Sequence, residues 1–203
     1  MTKLPSLKSA VIPTVFEEER NGVRSYYDLF SRLLKDRIVF ITGAITEDLA
    51  NLIIAELIYL ERENPKEDIQ VYIQSPGGSV NAGLAIYDTF QYLKPDIVTI
   101  GMGLIASMAS VLLASGTNGK RFILPHTQVM IHQPWTPRLS NVKTTDLLIY
   151  AEQSKKEKER LQQILANHTK QPFEKIERDT ERDYWINAEE SVQYGIVDKV
   201  LKS

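Results

Sequence analysis

The chain has 203 residues, 43% of them hydrophobic and 25% charged, which is the usage of one globular domain with a substantial core. A formal net charge of −2 and the lack of any basic cluster give no electrostatic case for a nucleic acid or a membrane surface. There is no cysteine, which excludes disulfides, thiolate metal sites and a cysteine nucleophile, and suits a reducing, cytoplasmic compartment. No apolar run approaches the roughly 18 residues that a membrane helix needs. The polar stretch 1–10, with Lys3 and Lys8, has no hydrophobic segment behind it and is not a secretory signal. Residues 1–20 are therefore set apart as an N-terminal segment, either disordered or a removable prosegment. Residues 21–203 are read as a single domain.

Residues 37–42 (RIVFIT) read as a strand, and Thr46 then reads as an N-cap with Glu47 and Asp48 in the first turn. The helix that follows places Leu49, Leu52, Ile53, Leu57 and Leu60 at helical spacing and stops near Asn64-Pro65. A second strand is expected over 69–74, a glycine turn at Gly77-Gly78, and a second helix over 82–93, ended by Pro95. Residues 97–101 read as a third strand and 106–114 as a small-residue helix. Two more strands follow at 122–124 and 128–132. Strands alternating with helices predict an α/β fold with a largely parallel sheet. Over 142–167 the pattern changes to one long helix with a charged block at 155–160 (KKEKER). This helix is either a solvated face or an arm that leaves the body, and its length favours the arm.

Four places carry residues fit for chemistry. Ser75-Pro76-Gly77-Gly78 lies between a strand and a helix, where paired glycines let backbone amides approach a ligand, although Pro-Gly-Gly also makes a plain turn. Ser107 stands where a glycine-ended strand meets the small-residue helix. There it is either an N-cap or a nucleophile served by free helix amides; Ser110 reads as a small packing residue. Of the three histidines, His132 ends an apolar strand, His126 sits in a turn and His168 follows the long helix. The run 177–185 (ERDTERDYW) offers Asp179, Glu181 and Asp183, and spacing alone selects none of them.

Taken together, SPGGSVNAGLAIYDT (75–89), IASMAS (105–110), KRFILP (120–125), VMIHQP (129–134) and ERDTERDYW (177–185) resemble the ATP-dependent Clp protease proteolytic subunit, the ClpP family. The segments SRLLKDRI (31–38) and ITG (41–43) agree with it. The resemblance implies a crotonase-like α/β head with a projecting helical handle, here about residues 142–167, and an axial loop within residues 1–20. It implies Ser107 as nucleophile, His132 as general base and Asp183 as the carboxylate that orients the base, with the amides of Gly78 and Met108 as oxyanion hole. It also implies a homo-oligomer of two stacked heptamers around a chamber, acting on unfolded proteins without a metal or other cofactor. A separate AAA+ unfoldase, the Clp ATPase, would feed it. Tyr72, Ile100, Met102, Phe122, Leu124 and Leu201 match that partner's docking pocket, where the plain alternative is ordinary core. Glu181 and Arg182 match positions that couple ring contacts to the active site.

Any ATP dependence must come from that partner, because GTNGK (116–120) is followed by Arg121 and has the wrong spacing for a phosphate-binding loop. The stretch 135–141 (WTPRLSN) departs from the family's glycine-rich segment, and Pro137 has no N–H for a ladder. Leu104, Ile105 and Ala109 also replace residues more common beside the nucleophile. These departures suggest a divergent paralogue, and a second reading is a regulatory subunit active only in mixed rings with a ClpP paralogue. A third, an acyl-CoA enzyme of the crotonase type, shares the glycine oxyanion hole but generally works with carboxylates rather than a Ser–His pair.

Overall fold

A computed structural model describes residues 12–18, 24–135 and 143–202. Its chain opens on an antiparallel pair, β1 (Thr14–Glu18) and β2 (Arg24–Asp28), followed by α1 (Leu29–Lys35). None of these three was expected from the sequence. Their exposed and half-buried residues alternate or mix without one fully buried position, so the apolar signal that marks a core element is missing.

The body is a seven-stranded sheet. Strands β3 (Ile38–Thr42), β4 (Ile69–Ser75), β5 (Ile97–Ala106) and β6 (Arg121–Ile123) run parallel in that order, with β9 (Lys199–Val200) beyond β6. Strand β7 (Gln128–Ile131) pairs with the last residues of β5, and β8 (Tyr184–Ile186) lies antiparallel on β7. The expected third strand is thus five residues too short, because Gly101 and Gly103 read as its end. In fact Thr99–Gly101 pairs with β6 and Leu104–Ala106 with β7, and the second ladder keeps the chain extended through the glycines.

The helices follow local chemistry closely. Thr46 accepts a hydrogen bond from the Leu49 amide and starts α2 (Glu47–Glu63), whose Ala50, Ile53, Leu57 and Leu60 are buried. Each fully buried Ile or Leu contributes about 1.5–3 kcal/mol. The far end of α2 is held by Arg37, which is 6% exposed and donates to the carbonyls of Leu60, Asn64, Glu67 and Asp68. Helix α3 (Val80–Tyr92) begins two residues before the expected start, because Ser79 caps it on the Ala82 amide. All seven residues of α4 (Met108–Ala114) are buried. A Cβ at Gly83 of α3 would stand 2.1 Å from Met108 Cγ, so the missing side chain lets the two helices touch.

Helix α5 (Thr144–Thr169) has no buried residue before Leu161. At about 1.5 Å per residue it is about 39 Å long. Only its last turns, with Leu161, Gln162, Ile164, Leu165 and Ala166, pack on the body, which is the projecting arm expected for residues 142–167. Leu147, Leu148, Ile149 and Tyr150 are exposed along its free part. Two short helices, α6 (Phe173–Asp179) and α7 (Ala188–Tyr194), then lead into β8 and β9. Most of residues 1–20 and the stretch after Trp135 through residue 142 lie outside the described residues.

Arg121 ties these pieces together. Its guanidinium, 6% exposed at the side chain, pairs with Asp198 and donates to the carbonyls of Ala114, His168 and Gly195. His168 lies inside the last turn of α5 rather than after it, with Nε2 3.2 Å from Tyr87 Oη. Burial, with Arg121 and Lys170 nearby, holds its pKa below the ordinary 6.5. A histidine that protonates less readily folded than unfolded contributes stability above the unfolded pKa, and that stability drains away as pH falls through it. Urea denaturation is therefore expected to show the wild-type chain losing more stability than His168→Gln between pH 7.5 and 5.5. Equal losses would mean that His168 does not take part.

Candidate active site

The registers of three neighbouring strands bring the candidate residues to one end of the sheet. Ala106 is paired with Met130, so Ser107 and His132 leave β5 and β7 side by side. Ile131 is paired with Tyr184, so Asp183 arrives opposite His132 just before β8. His132 Nε2 lies 2.9 Å from Ser107 Oγ, and His132 Nδ1 lies 2.9 Å from Asp183 Oδ1. A carboxylate can only accept, so Nδ1 carries a proton toward Asp183 and Nε2 is left to accept from the serine hydroxyl. The His132 side chain is 19% exposed and that of Asp183 is 62% exposed.

Ser107 occupies the N-cap position of α4 but caps nothing with its side chain. Its φ of 57° and ψ of −127° are strained for a residue with a Cβ. The backbone is held there by its N–H on Met130 O at 2.9 Å and by Ser110, whose Oγ and N both donate to Ser107 O. Ser110 is thus spent on the turn. The amide of Met108, the first residue of α4, lies where helix N–H groups have no partner within the helix.

The glycine pair closes the other side. A Cβ on Gly77, whose φ is +89°, would stand 2.6 Å from Ser107 Cβ and 2.7 Å from Ala106 O. Gly78 is bridged to Ile45 through its neighbours, Ile45 N donating to Gly77 O and Ser79 N to Ile45 O. That pattern turns the N–H of Gly78 itself away from Ile45. It makes no hydrogen bond among the described residues. Gly78 and Met108 both line a cavity of about 270 Å³ together with Ser107 and His132.

The other acidic candidates in 177–185 are placed elsewhere. Asp179 accepts from Lys175 at 2.7 Å and from Tyr194 Oη at 2.9 Å, and Glu181 pairs with Lys158 of α5 at 2.8 Å. Arg182 is exposed, and so is His126. Lys120, from the stretch that lacks the phosphate-loop spacing, is engaged with Asp68 and Asp96. Tyr72, Ile100 and Phe122 stand in one row across β4, β5 and β6, with Phe40 stacked on Tyr72. Of the six residues matched to a docking pocket, Ile100 is buried, Leu124 is exposed, and Tyr72, Met102, Phe122 and Leu201 are half-buried.

Sequence reasoning missed what anchors the histidine side to the carboxylate side. Gln133 N donates to Thr180 O at 2.6 Å, Gln133 Nε2 to Glu181 O at 2.9 Å, and Gln162 Nε2 of α5 to Thr180 Oγ1 at 3.0 Å. The signal for Gln162 was present in its position between Leu161 and Leu165 on the one buried stripe of α5, but the charged block before it obscured the stripe.

Set against known protein families, residues 20–203 match the model of the Clp protease family. A match over nearly the whole chain, with the fold above, shows that this chain belongs to the Clp protease family, a family of ClpP-type serine peptidases.

Proposed function

We propose that the protein is a serine endopeptidase in which Ser107, His132 and Asp183 act as one unit. The observation that carries this reading is the unbroken chain of hydrogen bonds from Asp183 through His132 to Ser107. Ser107 Oγ attacks the scissile carbonyl carbon as His132 Nε2 takes the hydroxyl proton, and the new oxyanion is held by the amides of Gly78 and Met108. His132 then gives the proton to the leaving amine as the C–N bond breaks. A water, deprotonated in turn by His132, hydrolyses the acyl-enzyme and restores the serine. Asp183 fixes the tautomer that this sequence requires.

The substrates are unfolded proteins. The cavity is too small for a folded chain, and the exposed apolar residues of α5 suit packing against further copies of the subunit, in two stacked heptamers that enclose a chamber. In that cytoplasmic assembly the aromatic row around Tyr72 and Phe122, with Ile100, Met102, Leu124 and Leu201, receives a separate AAA+ ATPase. Glu181 and Arg182, next to Asp183, link subunit contacts to the site.

A fluorophosphonate probe tests the reading directly. It is expected to label the purified protein once per chain, with the modified peptide containing Ser107. Labelling at Ser110 or elsewhere, or none alongside undiminished peptide cleavage, would overturn the nucleophile assignment.

A further inference from the structure

The opposite end of the sheet carries a second cavity, of about 430 Å³, that the chemistry at Ser107 does not use. Ile97, the first residue of β5, lines it, whereas Ser107 follows the last, so a ten-residue strand separates the two. The end of α3, the stretch 115–118 after α4, β6 and the last turn of α5 form its walls. The charges there do not balance. Asp96 is the one carboxylate in the lining, and it is engaged by Lys120 at 2.8 Å and by the Thr117 hydroxyl at 3.5 Å. Arg121 is likewise spent, on Asp198 and three carbonyls. Lys94 and Lys170 line the same cavity, and neither has a carboxylate partner among the described residues.

Neutral donors stand unused beside them. The Asn118 side chain, the Gly116 N–H and the Asn167 Nδ2 make no hydrogen bond among the described residues, while Asn167 Oδ1 already accepts from Gln163. His168 feels the resulting field. It is half-buried, with Nε2 3.2 Å from Tyr87 Oη of α3 and Nδ1 without a partner among the described residues. Burial, then Arg121 and Lys170, keeps its imidazole neutral to lower pH than usual. Cations gathered round a neutral imidazole fit a ligand that brings negative charge and several acceptor oxygens, and lysine holds such a ligand as a point charge. Two unpaired lysines match two negative charges better than one. We infer that this cavity binds a free, doubly charged oxyanion of the phosphate or sulfate kind between Lys94 and Lys170, with His168 as a third contact that strengthens when protonated. By linkage, the anion and the proton on His168 favour each other. Around His168 stand Tyr87 from α3, Arg121 with Asp198 on the β6 side, Lys170 just beyond α5, and Lys94 and Asp96 in the shared cavity. Histidine alone among these types ordinarily titrates between pH 5.5 and 7.5.

Equilibrium dialysis of the intact protein against radiolabelled sulfate, with ionic strength held constant by sodium chloride, tests the inference, because sulfate keeps its double charge from pH 5.5 to 7.5. One saturable sulfate per chain is expected, bound more tightly at pH 5.5. Lys94→Gln and Lys170→Asn are each expected to weaken binding about ten-fold or more, the loss of a charge-assisted contact. Asparagine is chosen at position 170 because the backbone there is left-handed, with a φ of 61°. His168→Gln is expected to lose the tightening in acid while still binding sulfate at pH 7.5. No saturable uptake by the wild-type protein overturns the inference, as does uptake that both lysine substitutions leave unchanged. Equal binding by the wild-type protein at the two pH values removes His168 from the site and overturns it too. The wild-type curves decide the matter even where a variant does not fold.

Discussion

Ser107→Ala is expected to lower peptide cleavage by about 10⁴–10⁶-fold, the loss seen when a nucleophile is taken from a unit that works only as a whole. Its effect on folding is expected to be small, within about 0.5 kcal/mol, because the Ser107 side chain caps no helix and its hydrogen bond goes to His132 alone. The backbone makes a sharper version of the same test. At φ 57° and ψ −127°, alanine inherits the strain of serine, which is of order 1–3 kcal/mol for a residue with a Cβ. Glycine is free of it and gives back only about 0.4–1 kcal/mol through the looser unfolded chain. Ser107→Gly should thus be as inactive as Ser107→Ala and yet more stable by about 1 kcal/mol in urea. A site that is stabilised by deleting its reactive side chain is a site whose geometry was kept at the expense of stability. If Ser107→Gly proves less stable than Ser107→Ala, the turn is not strained and the tight contact of Gly77 with Ser107 must be explained otherwise.

The same turn shows how far the sequence could be read. The strand, the small-residue helix and Ser107 between them were all legible, because glycines, apolar runs and caps are local signals. Taken alone, Ser107 looked more like an ordinary N-cap, since whether its hydroxyl turns inward to the helix or outward to an imidazole depends on β7, more than twenty residues away. The register of β8 was harder still. Tyr184 and Trp185 are exposed and the strand has three residues, so neither period nor burial announces it. Without that register, Asp179, Glu181 and Asp183 are three carboxylates in one run. Only the pairing of Ile131 with Tyr184 sets Asp183 against His132, while Asp179 turns back to Lys175 and Tyr194. The family resemblance chose Asp183 by matching motifs, whereas the strand register supplies the physical reason for the same placement.

Asp183→Asn is expected to reduce kcat by about 10²–10³, less than the roughly 10⁴ lost when a buried carboxylate is removed from such a unit. Two separate things are lost. The first is the choice of tautomer: an asparagine can still accept from Nδ1–H through its carbonyl oxygen, but with the amide turned the other way it donates, leaving Nε2 protonated and unable to take the serine proton. The second is the charge that, in the proposed mechanism, stabilises the imidazolium formed as Ser107 attacks. Its worth depends on the medium, falling from about 4 kcal/mol at 4 Å where the effective dielectric is 20 to about 1 kcal/mol in water. With 62% of its side chain exposed, against 19% for His132, Asp183 stands near the watery end of that range. The expected loss is correspondingly reduced, and kcat for Asp183→Asn should recover little at high salt, since the missing charge cannot be replaced by screening ions. A loss of 10⁴ or more would show that another surface covers Asp183 in the active protein. Glu181 and Arg182, its exposed neighbours in the chain, are where that covering contact would then be sought by substitution. A loss below ten-fold would mean that Gln133 and Thr180, which lock the turn before Asp183, already orient His132 well enough without the carboxylate.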